Sequence, residues 1–471
     1  MRRWIAAGMV GLGLLAGGLP ARADDADTAA LKAEIEVLKD RLARLEVKLA
    51  AERVAPAAPM PEEDIPTPAW PVGGIYTVPD TKDLGTLTGI SWLSGTKVRG
   101  WIDTNYVINF NEPDRGIVNA NNAASAGETT GSIVKGRDIT VEGRTFDVHD
   151  QSFGLSLAEL EIEKVPEFGG VGYKFDLAFG ETQDIIVDSI RGSVGAPTSS
   201  DIVSDFDKTF QHASLGYVAP IGRGLRVDAG KFVTHIGGET IETVKNWNYS
   251  HSFFYTYAIP FQDSGIHVSY PWADTFYTDF YFLNGWNSTI DNNQGKSFGP
   301  SIGWSPAPWM WVYTNYLAGP EQADTGTNLR HLWDTQVFLG PFNGWNFLVN
   351  YDLGYEENAL AGPAGTLTQS AMWSGVTGYA RYKINDWLEP SFRIEYFKDR
   401  DGLQTGVDQD LLGLTFTLNT KLGLGKSKGS VVLFRPELRY DRSTRKFFTE
   451  QSKFRGGTDQ WTAGAGLTWM F

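Results

Sequence analysis

The last twelve residues, Gln460-Trp461-Thr462-Ala463-Gly464-Ala465-Gly466-Leu467-Thr468-Trp469-Met470-Phe471, alternate between two kinds of side chain. Counting back in twos from Phe471 gives only aromatic and aliphatic residues, whereas the other parity is small and mostly polar. Successive side chains of a strand point to opposite faces, so one face of this stretch is apolar with an aromatic at each end. The pattern predicts a β-strand with lipid on one side and water on the other. A strand of a soluble protein can alternate in the same way, so the choice between a membrane strand and a soluble strand depends on the rest of the sequence.

The place of this strand at the end of the chain resembles the closing strand of outer-membrane β-barrels. Barrel-assembly machinery recognises that strand, so the resemblance implies this machinery as a partner. The residues that we assign to the assembly signal are the outward aromatic and aliphatic ones, Trp461, Leu467, Trp469 and Phe471.

Composition restricts the class of protein. The 471 residues include 53 glycines and 13% aromatics, which suits either one large barrel or several soluble domains. The chain has no cysteine, which excludes disulfides, iron–sulfur clusters and thiol nucleophiles. The formal charge of −15 argues against a nucleic-acid partner.

The N-terminus has the three parts of a secretory signal peptide. Arg2 and Arg3 precede an apolar run over residues 4–19, and Ala21-Arg22-Ala23 supplies a cleavage site. A single membrane anchor is the alternative, but the run is short and rich in glycine. Cleavage of residues 1–23 removes three arginines and no acid, which takes the formal charge from −15 to −18. No later run approaches the ~20 apolar residues of a spanning helix, so the exported chain is predicted to be secreted or a β-barrel.

Residues 24–54 are predicted to form a short α-helical coiled coil in the periplasm. The core positions have heptad spacing and are Leu31, Ile35, Leu38, Leu42, Leu45 and Leu49. Glu34 with Lys39 and Arg41 with Glu46 are attractive pairs in a parallel bundle, whereas Lys48 with Arg53 is not. The alternative is an amphipathic helix that packs on the barrel or forms a fold of its own. Mixed isoleucine and leucine do not distinguish a dimer from a trimer.

Residues 55–97 connect this helix to the rest. The first part is rich in proline and predicts an extended linker. Residues 72–97 have no firm period, and they fit either a periplasmic lead-in or a segment that enters the barrel lumen.

From residue 98 onward the chain has a regular rhythm of strands. The sixteen predicted strands are 98–110, 152–164, 171–180, 209–218, 225–233, 264–271, 274–283, 297–304, 309–317, 331–340, 345–354, 371–383, 387–397, 409–420, 430–440 and 459–471. Their connections alternate between long loops and short turns built from Pro, Gly, Asn and Asp, as in outer-membrane barrels. We therefore predict an all-β fold, a 16-stranded antiparallel transmembrane β-barrel over residues 98–471. A large secreted β-protein is the alternative, but charge rows such as Arg435, Glu437 and Arg439 on one strand face favour the membrane barrel.

Sixteen strands enclose an aqueous channel, so permeation depends on what narrows it. The third long loop, residues 234–263, contains the apolar stretch 252–260, which has little reason to lie in water. We predict that this loop folds inward as a pore constriction; an extra strand at 252–259 and an inter-subunit latch are the alternatives. The charged and titratable residues of the loop are His235, Glu239, Glu242, Lys245 and Asp263.

Strand parity also predicts which charges face the lumen. The lumen bases are Arg99, Lys174, Arg226, Arg381, Arg393, Arg435 and Arg439, and the lumen acids are Asp103, Asp176, Asp228, Glu389, Glu395 and Glu437. A basic wall opposite an acidic loop would create a transverse field that orients polar solutes. For each residue the alternative is a lumenal ion pair that stiffens the wall.

Part of this region resembles a known family. Gly230-Lys231-Phe232-Val233-Thr234-His235-Ile236-Gly237-Gly238-Glu239, then 248–252, Pro260 and Gly265, resemble the putative β-barrel porin-2 family, as do 158–160 and 173–180. The resemblance covers residues 98–471 and implies a passive outer-membrane channel without catalytic residues or cofactors. A coiled coil joined to a porin barrel is also similar to certain trimeric porins, and this implies a homotrimer.

An enzyme is not expected, because none of the six histidines has metal-ligand spacing or a supported triad partner, and no metal site is predicted. We predict a porin for small hydrophilic solutes that contacts outer-membrane lipids. The alternative is a non-conducting anchor or adhesion protein whose coil reaches the peptidoglycan.

Overall fold

The computed structural model contains a closed ring of antiparallel strands. It describes residue 39 and residues 82–113, 143–147, 149–193, 208–361, 367–422, 430–451 and 453–471. Contacts divide the chain into two units, Met1–Met60 and Pro61–Phe471. The predicted signal peptide, coiled-coil core and proline-rich linker lie outside the described residues.

Sixteen strands form the ring, and each pairs with its neighbours in sequence. Their bounds are β1 (Lys97–Asn109), β2 (Ser152–Lys164), β3 (Val171–Phe179), β4 (Phe210–Ala219), β5 (Leu225–Val233), β6 (Gln262–Ala273), β7 (Phe276–Leu283), β8 (Ser297–Ala307), β9 (Met310–Pro320), β10 (Leu329–Phe342), β11 (Trp345–Ala361), β12 (Leu367–Tyr382), β13 (Leu388–Asp399), β14 (Gln409–Leu422), β15 (Val431–Ser443) and β16 (Asp459–Met470).

The C-terminal strand closes the ring. β16 pairs antiparallel with β1, with Trp469 opposite Ile102 and Thr468 opposite Asp103. The backbones of Phe471 and Gly100 then exchange two hydrogen bonds of 2.9 Å. Closure leaves no unpaired strand edge, which is the condition for β-structure in lipid. The predicted 16-stranded barrel, including its closure by the last strand, is confirmed.

The two faces of the strands have opposite chemistry. On β13, Phe392, Ile394 and Tyr396 are exposed on the outside, while Arg393 and Glu395 are fully buried inside. The outward aromatic and aliphatic side chains suit a hydrocarbon surround, and the inward charges suit a polar interior. The period-2 prediction therefore identifies both faces.

Two connections contain structure that the sequence analysis missed. The predicted loop over 181–208 begins with helix α2 (Glu181–Ser193), whose Ile185 and Ile186 are completely buried. The last long connection contains a two-stranded hairpin, Phe448–Glu450 with Lys453–Gly457. The prediction that the connection after β11 spans 355–370 was also too long, because β11 continues to Ala361.

A short capped segment precedes the barrel. Helix α1 (Leu84–Thr88) begins after Asp83, whose carboxylate accepts a 2.7 Å hydrogen bond from the Thr86 amide. Backbone donation from Thr86 and Gly95 lowers the pKa of Asp83 below its ordinary value. This segment lies at the ends of β1 and β2, where Lys164 donates to the Trp92 carbonyl at 3.1 Å. It therefore sits at the rim with the short turns.

No helix among the described residues combines the length and the hydropathy needed to cross a bilayer.

A charge on the outward face tests the lipid exposure of the strands. Val376 lies on the outward face of β12, between Tyr351 and Tyr396 of the adjacent strands. Val376→Arg is expected to destabilise the barrel by about 2–4 kcal/mol, because the charge would lie in hydrocarbon. Urea unfolding in lipid bilayers measures the change, with Val376→Leu as the control near wild type. Equal stability of the arginine and leucine variants would contradict a lipid-facing β12.

Candidate functional site

The connection between β5 and β6, residues 234–261, is buried almost entirely and is called the inward loop below. Every one of its residues is buried except Lys245, which is partly exposed. A loop in water would expose most of its polar side chains, as loops usually do. The contacts of the inward loop are instead with inward-facing side chains of the wall, among them those of β1, β11, β13, β14 and β15. It therefore lies inside the ring.

The loop has little regular structure. It contains one short 3₁₀ turn, Thr243–Lys245, and one π-helical turn, Phe254–Ala258. The alternative of an extra strand at 252–259 is therefore wrong. Phe253 and Phe254 belong to an apolar cluster that includes Trp373 and Phe397 of the wall, and burial of these rings explains why the apolar stretch leaves water.

Three buried arginines of β13 and β15 bind the loop backbone, and they are called the arginine cluster below. Arg435 donates to the carbonyl of Asn246 at 2.8 Å, and Arg439 donates to the carbonyl of His251 at 2.6 Å. Arg393 donates to the carbonyl of Ser250. A guanidinium has five donors in a fixed plane, so one side chain can serve several carbonyls. The cluster thus supplies the hydrogen bonds that the loop carbonyls would make with a neighbouring strand if the loop were part of a sheet.

Wall carboxylates accept hydrogen bonds from backbone amides of the loop, and a wall amide side chain donates to a further loop carbonyl. Glu437 accepts from the amide of Tyr249 at 2.8 Å, and Glu395 accepts from the amide of Phe253 at 2.5 Å. Asn419 of β14 donates to the carbonyl of Trp247 at 3.0 Å. The loop backbone between 246 and 253 is therefore held by side chains in place of strand pairing.

Glu239 and Arg393 form a buried ion pair between loop and wall. The Nη1 and Oε1 atoms are 2.8 Å apart, and Ser252 donates from its amide to the same carboxylate at 2.8 Å. Burial acts to raise the pKa of Glu239, but Arg393, His251 and the Ser252 donors hold that pKa below its ordinary value. The carboxylate is therefore charged at neutral pH. Removal of Glu239 would leave Arg393 with Glu395 alone, 3.5 Å away.

Glycines of the wall make room for the loop aromatics. A Cβ at Gly466 would lie 2.0 Å from the ring of Tyr249, and one at Gly375 would lie 2.5 Å from the ring of Phe254. Gly466 of the last strand therefore leaves room for the ring of Tyr249. Tyr249 also donates to Asp103 of β1 at 3.2 Å.

A second segment reaches the inward loop from the first long connection. Phe146 packs on His251 with ring centroids 4.4 Å apart, and Arg144 donates to Asp441 at 3.1 Å and to Thr462 at 2.6 Å. Both side chains are buried. Strand parity could not identify them, because they lie on no strand.

The predicted lumen bases fall into two sets. Arg393, Arg435 and Arg439 are buried against the loop, whereas Arg99, Lys174 and Arg226 keep 27–30% of their side chains exposed. The second set lies on β1, β3 and β5. Arg381 is intermediate, 4.6 Å over the Trp247 ring and 3.7 Å from Glu389.

The predicted acids are mostly buried beneath these bases. Asp176 lies 3.4 Å from Lys174, and Asp228 lies 2.8 Å from Arg226. Glu161, which was not among the predicted acids, contacts Arg99, Lys174 and Lys245. Its oxygens also lie within 4.8 Å of those of Glu159 and Asp176. The two lysines and Arg99 pair with Glu161 and Asp176, whereas Glu159 accepts from Gln211 at 3.4 Å.

The remaining predicted loop residues have separate environments. Glu242 lies 3.1 Å from Lys245 and accepts from Gln211 at 3.0 Å. His235 stacks on Tyr281 with ring centroids 3.7 Å apart. Asp263 is the second residue of β6 rather than a loop residue. The expected field across an open gap does not exist at Arg393 and Glu239, because these two residues touch.

A family model described as Putative beta-barrel porin-2, OmpL-like matches residues 95–471. None of the curated proteins matches.

Similar solved structures are outer-membrane proteins. Outer-membrane expressed OmpT of Vibrio cholerae has 12% identity and a TM-score of 0.47, covering 80% of this chain and 98% of that one. The outer membrane channel DcaP of Acinetobacter baumannii has 12% identity and a TM-score of 0.46, covering 80% and 98%. OprB of Pseudomonas putida has 9% identity and a TM-score of 0.47, covering 84% and 99%.

The Glu239–Arg393 pair gives a direct test of how the loop is held. Glu239→Gln is expected to weaken loop attachment by about 1–3 kcal/mol, because the charged acceptor for Arg393 and Ser252 is lost while Glu395 remains 3.5 Å from Arg393. Limited proteolysis should then cut within 234–261, and single-channel current should become larger and noisier.

A double variant and an exposed pair serve as controls. Glu239→Gln combined with Arg393→Met should be disturbed at least as much as Glu239→Gln alone, because the carbonyl of Ser250 also loses its donor. Asp386→Asn breaks an exposed ion pair with Lys383 and should change neither readout. Wild-type proteolysis and current in Glu239→Gln would show that this pair does not hold the loop.

Proposed function

We propose that the chain, which belongs to the putative beta-barrel porin-2, OmpL-like family and forms an outer-membrane channel for passive diffusion, narrows this channel with its inward loop. The burial of the whole loop except Lys245, inside a ring of sixteen strands, is the observation that carries the proposal. A ring of this size leaves a water-filled lumen when only wall side chains project into it. A 28-residue segment fixed to β13–β15 takes up part of that lumen.

The chemistry of the remaining passage supports small hydrophilic solutes. Lys245 of the loop and Arg99, Lys174 and Arg226 of the wall reach solvent. Lys245 of the loop and Lys174 of β3 each lie 3.6 Å from the carboxylate of Glu161. The loop and the wall therefore share this carboxylate. These groups would contact a solute before the more deeply buried acids do. Membership of the family indicates a channel rather than an enzyme, and no catalytic residues are proposed.

Self-association in the membrane is the second part of the proposal. Residues 24–54, with core positions Leu31 to Leu49, would form a periplasmic coiled coil after removal of residues 1–23, and residues 55–97 would link it to the barrel. The heptad spacing of this segment supports the proposal. A parallel bundle of about three heptads is marginal alone, so association of the barrels would have to assist it. A homotrimer is the proposed state.

Planar-bilayer recording tests the channel and its oligomeric state together. The wild-type protein is expected to insert with three conductance levels per event, because three barrels insert as one particle. Deletion of residues 28–53 should give single levels and a smaller particle in native electrophoresis. Insertion without any conductance would support the anchor alternative, and an unchanged particle size after the deletion would remove the coil from the account.

Ion selectivity tests the loop as the constriction. Burial disfavours the charged forms of both Glu242 and Lys245, yet each holds the other charged, with the pKa of Glu242 lowered and that of Lys245 raised. Lys245→Gln should move the reversal potential in a salt gradient toward cation preference, and Glu242→Gln toward anion preference. Lys383→Gln, on the exposed turn between β12 and β13, is the control without a shift. Reversal potentials that do not change in either loop variant would place the constriction elsewhere.

A further inference from the structure

Two wall carboxylates beside the inward loop face each other without a base. Asp334 of β10 and Asp352 of β11 are directly opposite across the strands, and both are completely buried. Among the described residues, neither lies within ion-pair distance of a lysine, arginine or histidine. Glu356, on the same face of β11, differs in this respect because Arg330 lies 2.6 Å away.

Three amide side chains surround the two acids. Asn315 and Gln336 donate to Oδ2 of Asp334 at 2.6 and 3.1 Å. Asn350 donates to Oδ1 of Asp334 at 2.7 Å and to Oδ1 of Asp352 at 3.0 Å. All three amides are buried.

Several oxygens of this group accept no hydrogen bond. They are Oδ2 of Asp352, Oδ1 of Asn315 and Oε1 of Gln336, and all are buried. The amide nitrogens already touch Asp334, so a half-turn of either amide about its terminal bond brings its oxygen to the same place. The oxygens can therefore converge on the carboxylates.

A buried pair of carboxylates without a base needs a counter-charge. A single proton shared by Asp334 and Asp352 would give a donor to one carboxylate oxygen. The amide oxygens of Asn315 and Gln336 would still have no donor. A cation bound between the carboxylates, with the two amides turned, would have oxygen ligands from the acids and from the amides. Oxygen-only ligands with two carboxylates are typical of calcium, which takes 6–8 oxygens in flexible geometry, whereas magnesium usually keeps several waters.

We propose that Asp334, Asp352, Asn315 and Gln336 bind one calcium-type divalent cation in the barrel wall. The site joins β9, β10 and β11. It also borders the inward loop, because Oδ1 of Asn350 accepts the amide of Gly238 at 2.7 Å. The bound cation fixes Asn350 and with it the start of the loop.

Calcium binding and thermal unfolding of the full-length protein test this site. Protein purified in detergent and freed of divalent ions with a chelator is titrated with CaCl2 by calorimetry, and one Ca²⁺ per chain is expected. Saturating Ca²⁺ should raise the unfolding midpoint by at least about 5 °C, since a ligand of the folded state alone stabilises it. MgCl2 should bind more weakly.

Two variants separate this site from others. Asp334→Asn with Asp352→Asn should abolish both calcium binding and the midpoint shift, yet in chelator it should be at least as stable as the wild type, because the unpaired charges are gone. Glu356→Gln, which removes an acid that already has a base, should keep both responses. If the double variant fails to fold, Asp352→Asn alone should weaken calcium binding at least about tenfold, since it removes one of the two charged ligands.

Other results would overturn the proposal. A wild type that binds no Ca²⁺ and loses stability as the pH rises would show that a shared proton balances the pair. Calcium binding that persists in the double variant, or in Asp352→Asn where that variant stands in for it, would place the cation elsewhere.

Discussion

The arrangement inside the barrel depends on hydrogen bonds from wall side chains to the inward loop, whose backbone pairs with no strand. A backbone inside a barrel must find partners for its N–H and C=O groups, because leaving them unpaired away from water costs about 1–3 kcal/mol each. Arg393, Arg435 and Arg439 serve the carbonyls of the inward loop, while Glu395 and Glu437 serve its amides. These charged groups also neutralise one another, so the cost of burying them is offset within the same network. The position of the loop follows from this network.

The barrel itself was predictable because its physical rule is simple. Lipid outside the barrel and a polar interior impose an alternation of apolar and polar side chains on each strand. Closure of an antiparallel ring requires an even number of strands and leaves no free edge. All sixteen predicted strands occur, with shifts of a few residues at their ends. The errors fall where a second influence acts: β11 and β12 extend beyond the predicted rim, and α2 follows β3 directly as a helix whose isoleucines pack inward.

The interior was only partly predictable, for a different reason. Strand parity identifies which side chains point inward, but it does not tell what covers them. Arg99 and Arg393 both point inward from their strands, yet Arg99 reaches solvent and Arg393 is buried beneath the loop. The apolar stretch 252–260 predicted that the loop leaves water. The contacts that hold it could not be read, because the wall side chains bind mostly to backbone carbonyls and amides of the loop, which have no sequence signal.

Cysteine accessibility measures most directly whether the loop lies against the wall. The chain has no native cysteine, so single cysteines at positions 245 and 256 of the same loop can be compared without background. Thr256 is buried, whereas Lys245 is partly exposed. With a water-soluble thiol reagent on the protein in membranes, Lys245→Cys is predicted to react at least about tenfold faster than Thr256→Cys, because only exposed thiolates react readily. Equal rates at the two positions would contradict a loop that is held inside the barrel.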